Sequence, residues 1–454
     1  MDFLSNLSKF QLISETGNIY KVHDIIKIKK NFENILGKKK LIFFIGDNDE
    51  FSILFYIVCL SLGHCLMPIS SNITKKSLNH LIKSFKPEII FTKEFKKLRE
   101  FKDHYSFGLY KILKKKNVEN KINQKLALLL STSGSTGNAK FVKLTFENIF
   151  ANALSIKKYL KLNSSDSTIT TLPIHYSYGI SVINSHLLAD AKIYTNKLSL
   201  FDKEFWEILE KKKITNFSGV PFHFEILQKL NIDKLKLKSL KFCTQAGGKL
   251  NTSIIKSIVN KFLKLNKKFF VMYGQTEASP RMTYADEKDL IKYPETVGRP
   301  IPGGKIFIKD LKKKIGEICY IGKNVFHGYA TKRGDLSNLK KISILRTGDI
   351  GYVKKGLLFV TGRISRFEKI YGVRINLDNL EKYLNNLNIP CKCIYNKNKI
   401  FIFVTKSKIN ENKIKILIKK DFEISINTIV FRTIKKIPYN NNKKIDYKKL
   451  NEEI

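Results

Sequence analysis

The chain has 454 residues, 43% hydrophobic and 11% aromatic, enough to fill buried cores and to exclude a disordered protein. That length calls for two or three domains rather than one core. The formal charge of +44 points first to nucleic acid or an anionic surface, but only nine of the 83 basic residues are arginine and the lysines are spread through nearly every segment, which argues against nucleic-acid binding as the main function.

Met1-Asp2-Phe3-Leu4-Ser5-Asn6 has no charged lead or long apolar core, so no signal peptide is expected. Apolar runs at 40–45, 88–91, 126–130, 168–172, 191–194, 216–220 and 269–273 predict strands. Between them, residues 146–160 and 253–265 carry helical periodicity. The most apolar segment, 51–63, falls short of the roughly 18–20 residues of a spanning helix, so it predicts a core helix and no transmembrane segment. This alternation indicates an α/β class with layered, largely parallel sheets. Short strands with Gly-rich turns over 297–360 read as a small β-rich unit. The last 90 or so residues predict a separate α+β domain, with helices at 377–387 and 411–420 and strands at 391–395, 400–404 and 428–433. The boundary falls near 363–366, giving domains 1–363 and 364–454. Cys59, Cys65, Cys243, Cys319, Cys391 and Cys393 show no paired metal spacing and read as reduced structural thiols of a cytoplasmic enzyme.

The strand at 126–130 empties into Ser131-Thr132-Ser133-Gly134-Ser135-Thr136-Gly137-Asn138-Ala139-Lys140. Glycines let backbone N–H groups approach an anion, and the hydroxyls and ammonium add donors, so the loop suits a polyphosphate. It is not a Walker loop, because no Gly-Lys-Ser/Thr follows at the required spacing. Downstream come Gln245-Ala246-Gly247-Gly248, Tyr273-Gly274-Gln275-Thr276-Glu277, Arg346-Thr347-Gly348-Asp349, Gly362-Arg363-Ile364-Ser365-Arg366 and Lys369-Ile370-Tyr371-Gly372. Pro438 and Lys443-Lys444-Ile445 close the series. Five of the nine arginines (Arg299, Arg346, Arg363, Arg366 and Arg374) lie in or beside these segments.

In this order the segments resemble the adenylate-forming (AMP-binding) superfamily of acyl-CoA synthetases, peptide-synthetase adenylation domains and luciferases. The resemblance runs from about Leu41 to the C-terminus. It implies a large AMP-binding (adenylation) domain and a small mobile C-terminal lid carrying the catalytic lysine. It also implies an ATP- and Mg2+-dependent acid-thiol ligase that forms an acyl-AMP and then a thioester, with CoA or a phosphopantetheine carrier as acceptor. No carrier serine motif follows Lys444, so a carrier protein would act in trans. The alternatives are a stand-alone amino-acid adenylation enzyme, or a basic binding protein that kept the fold without the chemistry.

Residue by residue, the resemblance gives Thr132, Ser133, Gly134, Ser135, Thr136 and Gly137 the β- and γ-phosphates, with Lys140 assisting. Tyr273 would lie against adenine, which the backbone of Gly247 and Gly248 approaches beside Gly274. Thr276 would touch the α-phosphate and Glu277 would bind magnesium. Asp349 would accept the ribose diol, a role that suits a carboxylate, and Arg363 a ribose or phosphate contact. Lys444, six residues after Pro438, would bridge the substrate carboxylate and the α-phosphate. The family's usual glycine position holds Lys443, and its hinge aspartate is Ser365. Lys369 and Gly372 fall on the thiol and pantetheine side. In Leu172-Pro173-Ile174-His175-Tyr176, His175 takes the family's aromatic position and Tyr176 its histidine position, at the acyl-substrate entry. The alternative for His175 is a satisfied core histidine. The segment lacks the Asp that amino-acid-activating relatives use, which favours an acid without an α-amino group.

Overall fold

The computed structural model describes residue 4 and residues 7–93, 100–115, 121–131, 140–230, 237–312, 315–370, 373–405, 409–440 and 445–454. The chain divides into two compact units, Met1–Lys305 with Tyr320–Leu345, and Ile306–Cys319 with Arg346–Ile454.

The first unit holds two large sheets. An eight-stranded sheet centres on Leu126–Ser131, Cys65–Pro68, Leu41–Ile45 and Ile89–Thr92, hydrogen-bonded in that spatial order. Its inner pairings are parallel, and Leu41–Ile45 is buried throughout, as expected of a strand covered on both faces. The apolar segment predicted as a core helix is Glu50–Ser61, capped by Asp49, whose side chain accepts the Ser52 N–H at 3.0 Å. Phe55, Phe91 and Tyr110 stack with ring centroids 4.1 and 4.2 Å apart, which locks this helix onto the sheet. Among the described residues no helix is long and apolar enough to cross a membrane.

The nine-stranded sheet runs through Asn216–Gly219, Phe242–Gln245 and Lys268–Gly274, all parallel, to the antiparallel strand Arg281–Ala285 and the edge strand Arg299–Pro300. Two helices connect the sheets. Phe146–Leu160 packs on Phe141–Thr145 and Leu126–Ser131 and against Ser177–Leu188, which in turn packs on Lys192–Tyr194. The layered α/β class expected from the sequence is therefore the observed one. One predicted strand is cut short: 168–172 becomes Ser167–Ile169. Pro173 has no N–H for a ladder, and its carbonyl accepts the Tyr176 N–H at 3.0 Å, turning the chain into Ser177–Leu188.

The second unit carries Leu345–Lys354 and Leu357–Arg363 in a four-stranded sheet, then the hairpin Phe367–Ile370 and Val373–Asn376. Helix Leu377–Asn386 and helix Glu411–Phe422 accompany the sheet Cys391–Asn396, Lys399–Val404 and Ile429–Thr433, around Leu380, Leu384, Cys393, Ile400, Ile402 and Ile418. All six cysteines are buried thiols.

Candidate active site

In the first unit, the strand Lys268–Gly274 delivers its last residues to a one-turn helix, Thr276–Ala278. Tyr273 is half-buried opposite Thr283, and the ladder shifts register between Tyr273 and Gly274. A Cβ at Gly274 would lie 1.8 Å from the Pro280 carbonyl oxygen, so only glycine permits this close approach. The Thr276 hydroxyl lies 3.3 Å from that of Ser177. Glu277 is fastened twice: its carbonyl accepts the Phe326 N–H at 2.9 Å, and its carboxylate accepts the Tyr329 hydroxyl at 2.9 Å. Burial, reinforced by the Glu277 charge, raises the Tyr329 phenol, which stays protonated as the donor. Tyr329 also belongs to the short strand Tyr329–Ala330, where it pairs with Val142. The strand Phe141–Thr145 begins immediately after Lys140, which is exposed. Thr132, Ser133, Gly134, Ser135, Thr136 and Gly137 lie outside the described residues.

Gly247 has φ +85°, and a Cβ there would lie 2.5 Å from the Tyr176 hydroxyl oxygen and 3.2 Å from Val220 Cγ1. The structure thus brings together the glycine expected at adenine and the tyrosine expected at the acyl substrate. Gly248 is exposed, and its carbonyl accepts the Gln245 side-chain amide at 2.9 Å. His175 is half-buried while Tyr176 is buried, and burial raises the Tyr176 phenol. Gly247→Ala is expected to destabilise the fold by about 1–3 kcal/mol through backbone strain and the hydroxyl clash. Thermal denaturation checks this, and adding Tyr176→Phe should return the steric part; equal losses in the single and double variants would refute the contact.

In the second unit, Asp349 and Arg363 face one another across the Leu345–Lys354 and Leu357–Arg363 pairing. Arg363 Nε donates to the buried Asp349 carboxylate at 2.7 Å. Glu317, which the sequence reading did not single out, organises the turn before Asp349. It pairs with Arg346 and accepts the Gly348 N–H at 3.1 Å. Its only sequence signal is a carboxylate inside an otherwise apolar strand, Ile315–Ile321.

Ser365 is exposed on the turn Ile364–Arg366. Beside it, Arg366 donates to Asp378 at 2.9 Å and to the Cys393 carbonyl at 2.8 Å, and it pairs with Glu381. Its guanidinium carbon sits 4.5 Å from the Tyr447 ring centroid. Lys369 stands opposite Arg374 in the hairpin, and Gly372 lies outside the described residues. Lys443 and Lys444 also lie outside them, but their flanks are described: Tyr439 bridges Ile445, and the Asp446 N–H donates to the Pro438 carbonyl at 2.9 Å. Tyr447 then opens the helix Tyr447–Glu452. Arg366→Met removes one cation from the buried Glu381 carboxylate and should cost on the order of 2–4 kcal/mol, since Lys392, at 2.7 Å, still pairs with it. An unchanged urea midpoint would show the network to be energetically neutral.

Residues 34–330 match the AMP-binding enzyme family, and the chain belongs to that family. It is 28% identical over 349 residues to bacitracin synthase 3 of Bacillus licheniformis, covering 72% of this chain and 5% of that protein. It is 25% identical over 360 residues to the 2-succinylbenzoate–CoA ligase of Listeria innocua, covering 76% of this chain and 74% of that ligase. Against other curated relatives, a probable CoA ligase of Humulus lupulus and a luciferin 4-monooxygenase of Nipponoluciola cruciata, the match spans only about half of their length. In structure it is similar to the o-succinylbenzoate CoA synthetase of Bacillus subtilis bound to the acyl-adenylate OSB-AMP. That likeness has a TM-score of 0.78 at 17% identity over 99% of this chain and 97% of the other.

Proposed function

We propose that this chain activates a carboxylic acid with ATP and passes the acyl group to a thiol, either CoA or the pantetheine arm of a carrier protein. The observation that carries the reading is the turn at Tyr273-Gly274-Gln275-Thr276-Glu277, built so that Glu277 is held by Tyr329 on a backbone only glycine can follow. Family membership over 34–330, and relatives named as CoA ligases, support it.

In the first half-reaction a carboxylate oxygen attacks the α-phosphorus and the bond to pyrophosphate breaks. Negative charge gathers on the phosphoryl oxygens, so fixed cations and preorganised donors lower the barrier. We assign the β- and γ-phosphates to residues 132–137 with Lys140, the α-phosphate to Thr276, adenine to Tyr273 with Gly247 and Gly248, and the ribose to Asp349 with Arg363. Lys444 bridges the acid and the α-phosphate. Magnesium, a hard cation suited to carboxylate oxygen, neutralises phosphate charge when bound, and Glu277 is the residue that would hold it. In the second half-reaction the thiol sulfur displaces AMP from the acyl carbon, on the side we assign to Lys369 and Gly372. His175 and Tyr176 border the acid. The buried thiols suit a reducing compartment, and we place the reaction in the cytoplasm.

Amino-acid adenylation is the second reading, favoured by the match to bacitracin synthase 3 over 72% of the chain. Pyrophosphate release from ATP, assayed over carboxylic and amino acids with CoA and a carrier protein as acceptors, separates the two. No pyrophosphate release with any acid, together with steep salt-dependent DNA binding, would refute both in favour of a basic binding protein.

A further inference from the structure

Arg281 opens the strand Arg281–Ala285 and is 3% exposed. Its Nη1 donates to the Tyr159 hydroxyl at 3.1 Å and lies 3.2 Å from Met272 Sδ, and its guanidinium carbon stands 4.8 Å from the Tyr178 ring centroid. Nε is buried with no hydrogen-bond partner, and among the described residues no carboxylate pairs with this side chain. The contrast is Arg333, equally buried at 4% exposed, whose guanidinium is held by both oxygens of Glu88, at 2.9 and 2.6 Å. A guanidinium cannot shed its proton to escape burial, and an unpaired interior charge is strongly unfavourable.

The surroundings are polar rather than greasy. The Tyr178 hydroxyl donates to the Thr244 carbonyl at 3.0 Å, and the Thr244 hydroxyl lies 2.8 Å from that of Ser218. Burial pushes the Tyr178 phenol up to about 12, so it stays neutral beside the cation. Tyr178 meets Tyr176 edge-on, with ring centroids 6.3 Å apart, and the Tyr176 hydroxyl faces Gly247. Side-chain contacts thus link the glycine assigned to adenine, through Tyr176 and Tyr178, to a buried guanidinium that has no carboxylate partner among the described residues.

Resting on the ligase reading above, we propose that Arg281 is the specificity residue for the acid, and that the acid is a short one carrying a second anionic group, which the guanidinium neutralises. An alkyl chain placed here would leave the guanidinium buried and unpaired, whereas a second carboxylate supplies the missing acceptor.

The test is acid-dependent pyrophosphate release with succinate and glutarate against their length-matched mono-acids, butyrate and pentanoate, and against octanoate. The wild type should favour the dicarboxylates by at least about 30-fold in kcat/KM, the range expected for one buried charge pair. Arg281→Met should abolish that preference, chiefly through the KM for the acid and with the KM for ATP unchanged, and Arg281→Lys should restore part of it. Succinate alone should raise the Tm of the wild type and not of Arg281→Met. Should the variant not fold, the wild-type preference and its Tm shift still decide. Equal use of mono- and dicarboxylates by the wild type, or a uniform loss across all acids in Arg281→Met, overturns this assignment while leaving the ligase reading intact. No pyrophosphate release with any acid overturns both.

Discussion

Lys444→Ala lowers acid-dependent ATP–pyrophosphate exchange by at least about 100-fold, the scale of losing one preorganised donor to a developing oxyanion. The assignment rests on spacing from Pro438 and on the described base of the loop. On either side of the lysine the described residues pair, Tyr439 with Ile445 and the Asp446 N–H with the Pro438 carbonyl. The neighbouring lysine is the natural control. Lys443→Ala should retain exchange within a few-fold of wild type, because the spacing from Pro438 assigns the role to Lys444. Thiolysis of acyl-adenylate supplied from outside should survive in Lys444→Ala, since that step needs no bridge between carboxylate and phosphate. Exchange at the wild-type rate in Lys444→Ala, or its loss in Lys443→Ala instead, would move the role to another residue.

Glu277→Gln is the second large effect. The substitution keeps the shape and an acceptor for the Tyr329 hydroxyl but removes the charge that suits a hard divalent cation. We expect kcat to fall by roughly 100-fold and the magnesium concentration for half-maximal rate to rise. Tyr329→Phe leaves the charge and loosens its orientation, so it should cost about 10-fold in apparent magnesium affinity, as partners that hold a metal-binding residue in place commonly do. A normal magnesium titration in Glu277→Gln would remove this residue from the metal-binding role.

The fold was legible because its signals are local. The buried strand Leu41–Ile45, the wholly apolar helix Glu50–Ser61 and the periodic helix Phe146–Leu160 each declare themselves over a single element. The predicted strand 168–172 stops at Ile169 instead, ahead of the turn in which the Pro173 carbonyl accepts the Tyr176 N–H. Of the candidate site residues, the structure places Gly247 against Tyr176 and Asp349 against Arg363. What escaped is non-local. Glu317 gains meaning only when strand pairing brings it to Gly348, 31 positions along the chain. Arg281, four residues beyond Glu277, reads as one more basic residue in a basic chain. A sharper signal was present: with only nine arginines among 83 basic residues, an arginine stands out where lysine is the default.

Tyr329 has one further consequence. Its backbone joins the strand that follows Lys140, and its side chain grips the carboxylate at the end of the other large sheet. The strand that does this is two residues long, among the briefest in the chain, with little of its own to resist fraying. A transient opening of that stitch would expose the amides on both sides of it at once, so the exit of the Ser/Thr/Gly loop and the Glu277 turn exchange their hydrogens as one cooperative patch rather than as parts of two separate sheets.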